Sequence, residues 1–154
     1  MSYYGAGASK SGVNTANTAY FQLRPTTTST RLKIFQIVVN IAVAPTTAPV
    51  FYLARSTANG TVTTTLAGQP MDPGDGGAVG TWDSAFSVAP TFSTTNMMGT
   101  GGLAVTAGGA WVWTFPSDGP LTITNAVASG IVVVNLNASG ATTGTFVGSA
   151  LWRE

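Results

Sequence analysis

The apolar residues of this chain follow a period of two, and no other feature restricts its fold as strongly. Alternate residues from Phe35 to Val43 are apolar, while Gln36 and Asn40 lie on the opposite parity. Because successive side chains of a β-strand point to opposite faces, this pattern predicts a long strand with one buried face. From Tyr20 onward, no stretch combines apolar residues at helical spacing with helix-forming neighbours. The sequence therefore predicts an all-β chain.

Turn sequences divide the chain into about eight predicted strands. Asn59-Gly60 tolerates the positive φ values of a type I′ turn, so we expect residues 50–56 and 61–66 to form a hairpin. Residues 131–136 are apolar on both parities, which is typical of a central strand covered on both faces. Further strands are predicted near Trp82 and within residues 111–115, 121–123 and 146–152.

These strands favour a single domain made of two packed sheets. A chain of 154 residues is long enough to bury one hydrophobic core. About eight strands without helices leave a β-sandwich or a closed barrel as the plausible architectures. Two four-stranded sheets joined by long Gly/Pro-rich loops, such as residues 67–80, favour the jelly roll. We therefore expect a β-sandwich of jelly-roll type over residues 20–154.

Residues 1–19 differ from the rest, because they show neither a helical nor a strand period and consist mainly of small and polar residues. Such a segment buries too little apolar surface to offset its ordering entropy by itself. We expect an extended N-terminal arm that Tyr3 and Tyr4 anchor on a neighbouring subunit. The alternative is that the segment folds back on its own domain. If it is an arm, deletion of residues 2–18 should leave the β fold nearly intact.

The chain carries very little charge. Only six basic and five acidic residues occur among 154, and the formal net charge is +1. Free soluble domains usually place charges at roughly a quarter to a third of their surface positions, which keeps them apart in solution. Little long-range repulsion therefore opposes contact between copies of this chain. The composition predicts a building block that associates with itself or with other proteins.

The residue types that most catalytic and metal sites require are missing. The chain has no His and no Cys, so it lacks imidazole and thiolate ligands and the usual base for a serine nucleophile. The five carboxylates sit in or beside predicted turns or at the chain end, where acidic residues are common anyway. A Ser/Lys pair from Ser9, Lys10 and Ser11 would lie on the arm, without fixed geometry. We expect no enzyme, no metal and no cofactor.

Two further patterns leave alternatives open. Asp72 and Asp75 lie in a Gly-rich loop that could hold Ca²⁺, but further acidic ligands are missing and a plain surface turn is favoured. Trp111 and Trp113 share one strand face. Aromatic residues in this register more often belong to a core or a subunit interface, and the alternative is a platform on which sugars stack.

The cations are too few for a nucleic-acid-binding surface, which needs many phosphate contacts. Arg24, Arg31 and Lys33 form the one basic cluster, and a rim contact with an acidic partner surface is the favoured interpretation. No secretion signal is recognisable, and no apolar stretch is long enough to span a bilayer. We expect synthesis in the cytoplasm and no membrane interaction. The predicted interface residues are Tyr3, Tyr4, Lys10, Arg24 and Arg31.

The C-terminal third combines aromatic strands with glycine turns, in residues 108–116, 121–123, 129–135 and 151–154. Over residues 103–154 this pattern resembles small virion structural proteins of tailed bacteriophages, which are typically single jelly-roll or similar β-sandwich modules. The resemblance implies a capsid decoration or cement protein on the capsid surface of the virion, with the major capsid protein as partner. Because phage shells offer threefold positions and closed symmetry removes exposed edges, we expect a homotrimer. The alternative is a carbohydrate- or receptor-binding module of a tail or fibre.

Overall fold

The computed structural model describes residues 2–11, 16–124, 128–136 and 144–154. In this part of the chain there are thirteen strands and no helix. The strands are β1 (Tyr3–Ser11), β2 (Thr18–Pro25), β3 (Leu32–Val43), β4 (Val50–Ala58), β5 (Thr61–Ala67), β6 (Gln69–Pro70), β7 (Gly80–Val88), β8 (Thr91–Phe92), β9 (Thr100–Gly102), β10 (Ala110–Thr114), β11 (Leu121–Ile123), β12 (Gly130–Asn135) and β13 (Thr145–Arg153).

The strands pair as a long hairpin that has been rolled up. Strand β1 pairs with β13, β2 with β12, β3 with β10 and β11, and β4 with β8 and β9, all antiparallel. The first sheet therefore runs β10-β3-β13-β1 and the second β2-β12-β4-β8. Nested pairing of this kind across two sheets is the jelly-roll arrangement. The predicted all-β sandwich of jelly-roll type is confirmed, but thirteen strands form in the described residues where about eight were expected, because short strands and an insertion widen both sheets.

An insertion between β4 and β8 widens both sheets. Strands β5 and β7 extend the second sheet beyond β2, and β6 extends the first sheet beyond β1. The predicted hairpin around Asn59-Gly60 is wrong. Strands β4 and β5 do not pair, because β7, β2 and β12 lie between them in the second sheet, and neither turn residue has a positive φ. Asn59-Gly60 instead forms a crossover connection from β4 to β5, and this connection is held by the side chain of Gln22. Its Nε2 donates to Asn59 Oδ1 at 3.1 Å, and the Gly60 N–H donates to Gln22 Oε1 at 3.3 Å.

The N-terminal segment is extended, as expected, but it lies on its own domain. Residues 3–11 pair with β13 over the full length of β1, and Tyr4 is buried. The Tyr4 ring stacks on Trp152 with centroids 6.2 Å apart, and its hydroxyl donates to the Gly76 carbonyl at 3.1 Å. The fold-back alternative therefore describes residues 3–11, whereas residues 12–15 lie outside the described part of the chain. Deletion of this segment would remove the strand that pairs with one edge of β13, whose other edge pairs with β3, so the fold should not survive it unchanged.

The core lies between the sheets and is rich in aromatic rings. Phe21 and Trp82 stack with centroids 5.4 Å apart and an interplanar angle of 10°. Gly148 on β13 makes room for them, since a Cβ at this position would lie 2.5 Å from the Phe21 ring. The Trp82 indole N–H donates to the Gly148 carbonyl at 3.0 Å. This contact joins the second sheet to the first at the centre of the sandwich.

Strand β12 is buried along its whole length, between β2 and β4. Ile131 and Val133 face the main core, while Val132 and Val134 form a second cluster with Tyr52 on the other face of the sheet. The prediction of a central strand covered on both faces is confirmed. Apolar residues at consecutive positions indicate this because each face of the strand needs its own apolar contacts.

Candidate functional site

The outward side of the first sheet forms a broad surface with almost no charge. Its inward residues are buried, for example Ala8 on β1, Val39 on β3 and Trp113 on β10, so the alternating residues point outward. Residues directly opposite each other in the strand register form three rows across the sheet. We call these rows the outer face: Ala110, Asn40, Val147 and Ser9; Val112, Val38, Ser149 and Gly7; Thr114, Gln36, Leu151 and Gly5.

A cationic and aromatic corner ends the outer face. Lys33 lies opposite Arg153, which lies opposite Tyr3. Phe35 sits at a register shift between β3 and β13, and its ring centroid is 5.6 Å from that of Tyr3. The Arg153 guanidinium carbon lies 5.9 Å from the Tyr3 centroid and 5.5 Å from the Phe35 centroid. The positive charge of the face is therefore concentrated at one end, beside two aromatic rings.

A shallow depression of about 460 Å³ lies next to this corner. Gly5, Gly7 and Ser149 line its floor, and the amide side chains of Gln36 and Gln69 stand on opposite sides. The glycines create the depression because they have no side chains. The space above Gly7 is open, since a Cβ there would lie no closer than 3.5 Å to Ser149 Cβ. A protruding side chain of a partner protein fits such a recess, with amide groups available for hydrogen bonds.

Trp111 and Trp113 do not form an exposed platform. Trp113 is only 9% exposed and belongs to the main core, and Trp111 packs against that core. Their rings meet edge to face, with centroids 6.5 Å apart. Strand β9 of the second sheet and the glycine just before it cover these rings, since a Cβ at Gly101 would clash with the Trp111 ring and one at Gly99 would lie 3.3 Å from Trp113 Nε1. The interpretation as core residues is confirmed, and these two rings offer no stacking surface for a sugar.

Two of the acidic residues hold loops in place. Glu154 accepts hydrogen bonds from the backbone N–H groups of Val79 at 2.9 Å and Gly80 at 2.7 Å, and from the Trp152 indole at 3.1 Å. Asp72 Oδ1 accepts the Gly74 N–H at 2.9 Å, which is an Asx turn of the kind expected for a plain surface loop. Among the described residues, no group of three or more potential metal-ligating side chains comes together.

Arg24, a predicted interface residue, instead forms an internal ion pair. Its Nε lies 2.6 Å from Oδ2 of Asp83, whose side chain is fully buried. Burial raises the pKa of the Asp83 carboxyl, and this effect outweighs the opposing hydrogen bond and charge of Arg24 and the hydrogen bond of Thr65. The pair lies where the insertion joins the jelly roll, since β7 pairs with both β2 and β5.

The structure does not bring the five predicted interface residues together. Tyr3 is 44% exposed at the corner, whereas Tyr4 is buried. Lys10 is half-buried near the other end of β1, about 24 Å from Tyr3 by strand geometry. Arg24 is paired within the second sheet, and Arg31 is exposed just before β3. Of this set, only Tyr3 contributes to the outer face and its corner.

Sequence reasoning misses the outer face, because its members come from four strands that are distant in sequence. Cross-strand register alone places Val112, Val38, Ser149 and Gly7 in one row. The one local signal is the Gly-Ala alternation of residues 5–8, which leaves one side of a strand without side chains.

The sequence matches no protein-family model, and no curated protein matches it significantly. Within the described part of the chain, no helix is long and apolar enough to cross a membrane.

Proposed function

We propose that this chain is a non-enzymatic structural protein of a virion, a decoration or cement protein on the capsid surface of a tailed phage. The observation that carries the proposal is the outer face, which consists of three register rows without a charged residue on a four-stranded part of the first sheet. Contiguous exposed surface with few charges is typical of protein–protein contact sites. The resemblance of residues 103–154 to small phage structural proteins points in the same direction.

The size of the outer face indicates how attachment works. Four strands about 4.8 Å apart and about nine residues long give at most roughly 600 Å² of surface. A stable interface buries about 800 Å² on each partner, so one such contact is slightly too small by itself. A homotrimer that presents three outer faces to neighbouring capsid subunits gains affinity by multivalent attachment. Bridging of this kind adds buried area between subunits and stabilises the shell.

The cationic and aromatic corner would fix the orientation of the subunit on the shell. Lys33 and Arg153 place two positive charges at one end of a face that is otherwise neutral. An acidic rim on the major capsid protein would contact this end and fix the direction in which the subunit sits. The depression beside Gly5 and Gly7 would receive a side chain of the same partner.

Co-sedimentation with empty heads assembled from the major capsid protein of the same genome tests the proposal. We expect the wild-type chain to sediment with the heads and to raise their disruption temperature. Val112→Glu, at a position 46% exposed on the outer face, should weaken attachment about tenfold or more, because a carboxylate would lose its hydration in the contact. Val88→Glu is the matched control, since Val88 is 61% exposed on β7 of the other sheet. Absence of attachment, or equal behaviour of the two variants, would contradict the proposal.

A further inference from the structure

A second concave surface lies away from the outer face, at the edge of the second sheet. It is a pocket of about 270 Å³ lined by Arg55 and Thr57 on β4 and by Ser93, Asn96 and Met98 on the loop between β8 and β9. Arg55 is the one charged residue among these lining residues. Since none of them belongs to the outer face, attachment through that face would leave the pocket open.

The pocket is built from segments that are fixed in place. Met98 N–H donates to the Leu53 carbonyl on β4 at 2.8 Å, which ties the loop to the strand. Ser93 Oγ accepts the Asn96 N–H at 3.1 Å, so the two polar loop residues keep a defined spacing. Binding therefore requires little ordering of the loop, which reduces the entropic cost of holding a ligand.

Among the described residues, one hydrogen bond orients the Arg55 side chain and leaves its other donors unused. Its Nη1 donates to the Thr122 carbonyl of β11 at 3.0 Å, so the guanidinium bridges the open side of the sandwich. A guanidinium has five N–H donors, and this contact uses one of them. The planar fork that remains matches a carboxylate in two-point geometry.

The other lining groups indicate which kind of molecule would carry the carboxylate. Ser93 Oγ is engaged within the loop, where it accepts the N–H groups of Thr95 and Asn96. The hydroxyl of Thr57 and the amide of Asn96 are therefore the polar groups that suit ligand hydroxyls, and Met98 brings an apolar surface. The volume is slightly below the range of about 300–1,000 Å³ for drug-sized ligands, and it therefore suits one sugar ring. We propose that this pocket binds an acidic monosaccharide, with its carboxylate on Arg55 and its hydroxyls on Thr57 and Asn96.

Ligand-observed NMR and calorimetry on the full chain, without capsids, test this site separately from shell attachment. The probes are N-acetylneuraminic acid and glucuronic acid, with N-acetylmannosamine and glucose as their uncharged counterparts and inorganic phosphate as a simple anion. We expect the acidic sugars to bind with a dissociation constant of about 1 mM or lower and the uncharged sugars to bind about tenfold or more weakly.

Two variants and one control locate the site. Arg55→Gln should weaken binding of the acidic sugars about tenfold or more, whereas Arg31→Gln removes the same charge from an exposed position elsewhere and should change nothing. Asn96→Ala leaves the Arg55 contact with Thr122 in place and should also weaken binding, which keeps the test valid if Arg55→Gln folds poorly. No binding of either acidic sugar at 10 mM, equal binding of charged and uncharged sugars, or binding of phosphate alone would overturn the proposal.

Discussion

Arg24 Nε lies 2.6 Å from Oδ2 of Asp83, and this contact joins β2 of the jelly roll to β7 of the insertion. Asp83 is fully buried, and its second carboxylate oxygen has no hydrogen-bond partner among the described residues. Burial of this carboxylate has a desolvation cost that its favourable contacts only partly offset. The stability of the domain should therefore depend on the protonation of this residue.

The first prediction is a stability change with pH that depends on Asp83. Because burial raises the folded-state pKa above the ordinary value of 3.8, the folded state binds this proton more readily than the unfolded state. The contribution is fully present below the unfolded pKa and is lost as the pH rises through the folded pKa. Urea melts at pH 4, 5.5 and 7 should show wild type losing stability relative to Asp83→Asn as the pH rises. A constant difference between the two proteins would contradict the assignment.

The second prediction concerns the N-terminal strand. Tyr4→Ala removes a buried ring that stacks on Trp152, and it should cost roughly 3–5 kcal/mol of unfolding free energy, as large aromatic truncations do. Tyr3→Ala, one residue away on the exposed side, should cost much less, about 0.5–1 kcal/mol including its contact with Arg153. Denaturant melts measure both values. Equal small effects would mean that β1 is dispensable, as the arm hypothesis expects.

The third prediction separates the two sides of β10. Trp113→Ala opens a cavity in the main core and should cost roughly 3–5 kcal/mol. Val112→Ala alters the adjacent outward residue and should stay within about 0.5–1 kcal/mol. Thermal melts of the two variants compare neighbouring residues on opposite faces. If Trp113→Ala melted like wild type, its indole would not be part of the core.

The fourth prediction uses two glycines of the first sheet. Gly148→Ala places a methyl group 2.5 Å from the Phe21 ring, and the repacking should cost roughly 1–3 kcal/mol. Gly7→Ala should be neutral or slightly stabilising, since its nearest contact would be 3.5 Å away and alanine restricts the unfolded chain. Urea melts of the pair measure the difference. Tolerance of alanine at position 148 would show that the contact of Trp82 and Phe21 with β13 can relax.

The period of two in residues 35–43 and the apolar run in residues 131–136 were sufficient to predict an all-β sandwich. Both patterns are local because successive side chains of a strand point to opposite faces. The order of apolar and polar residues within one strand therefore shows which of its faces are buried. The jelly-roll prediction rested on about eight strands and long loops. Thirteen strands form within the described part of the chain, and the nested pairing of β1 with β13 and β2 with β12 gives the jelly-roll topology.

Three features depended on the tertiary structure. Residues 3–11 form a strand because they pair with β13. The Gly/Ala-rich sequence of this segment contains no local pattern that predicts the pairing. Asn59-Gly60 has the composition of a hairpin turn, but Gln22 and the position of β5 beyond β7 make it a crossover. The outer face and the Arg55 pocket join residues from distant strands. Local alternation determines which side of a strand is buried, whereas the register between strands and the packing of loops determine which residues become neighbours, and those depend on the whole folded chain.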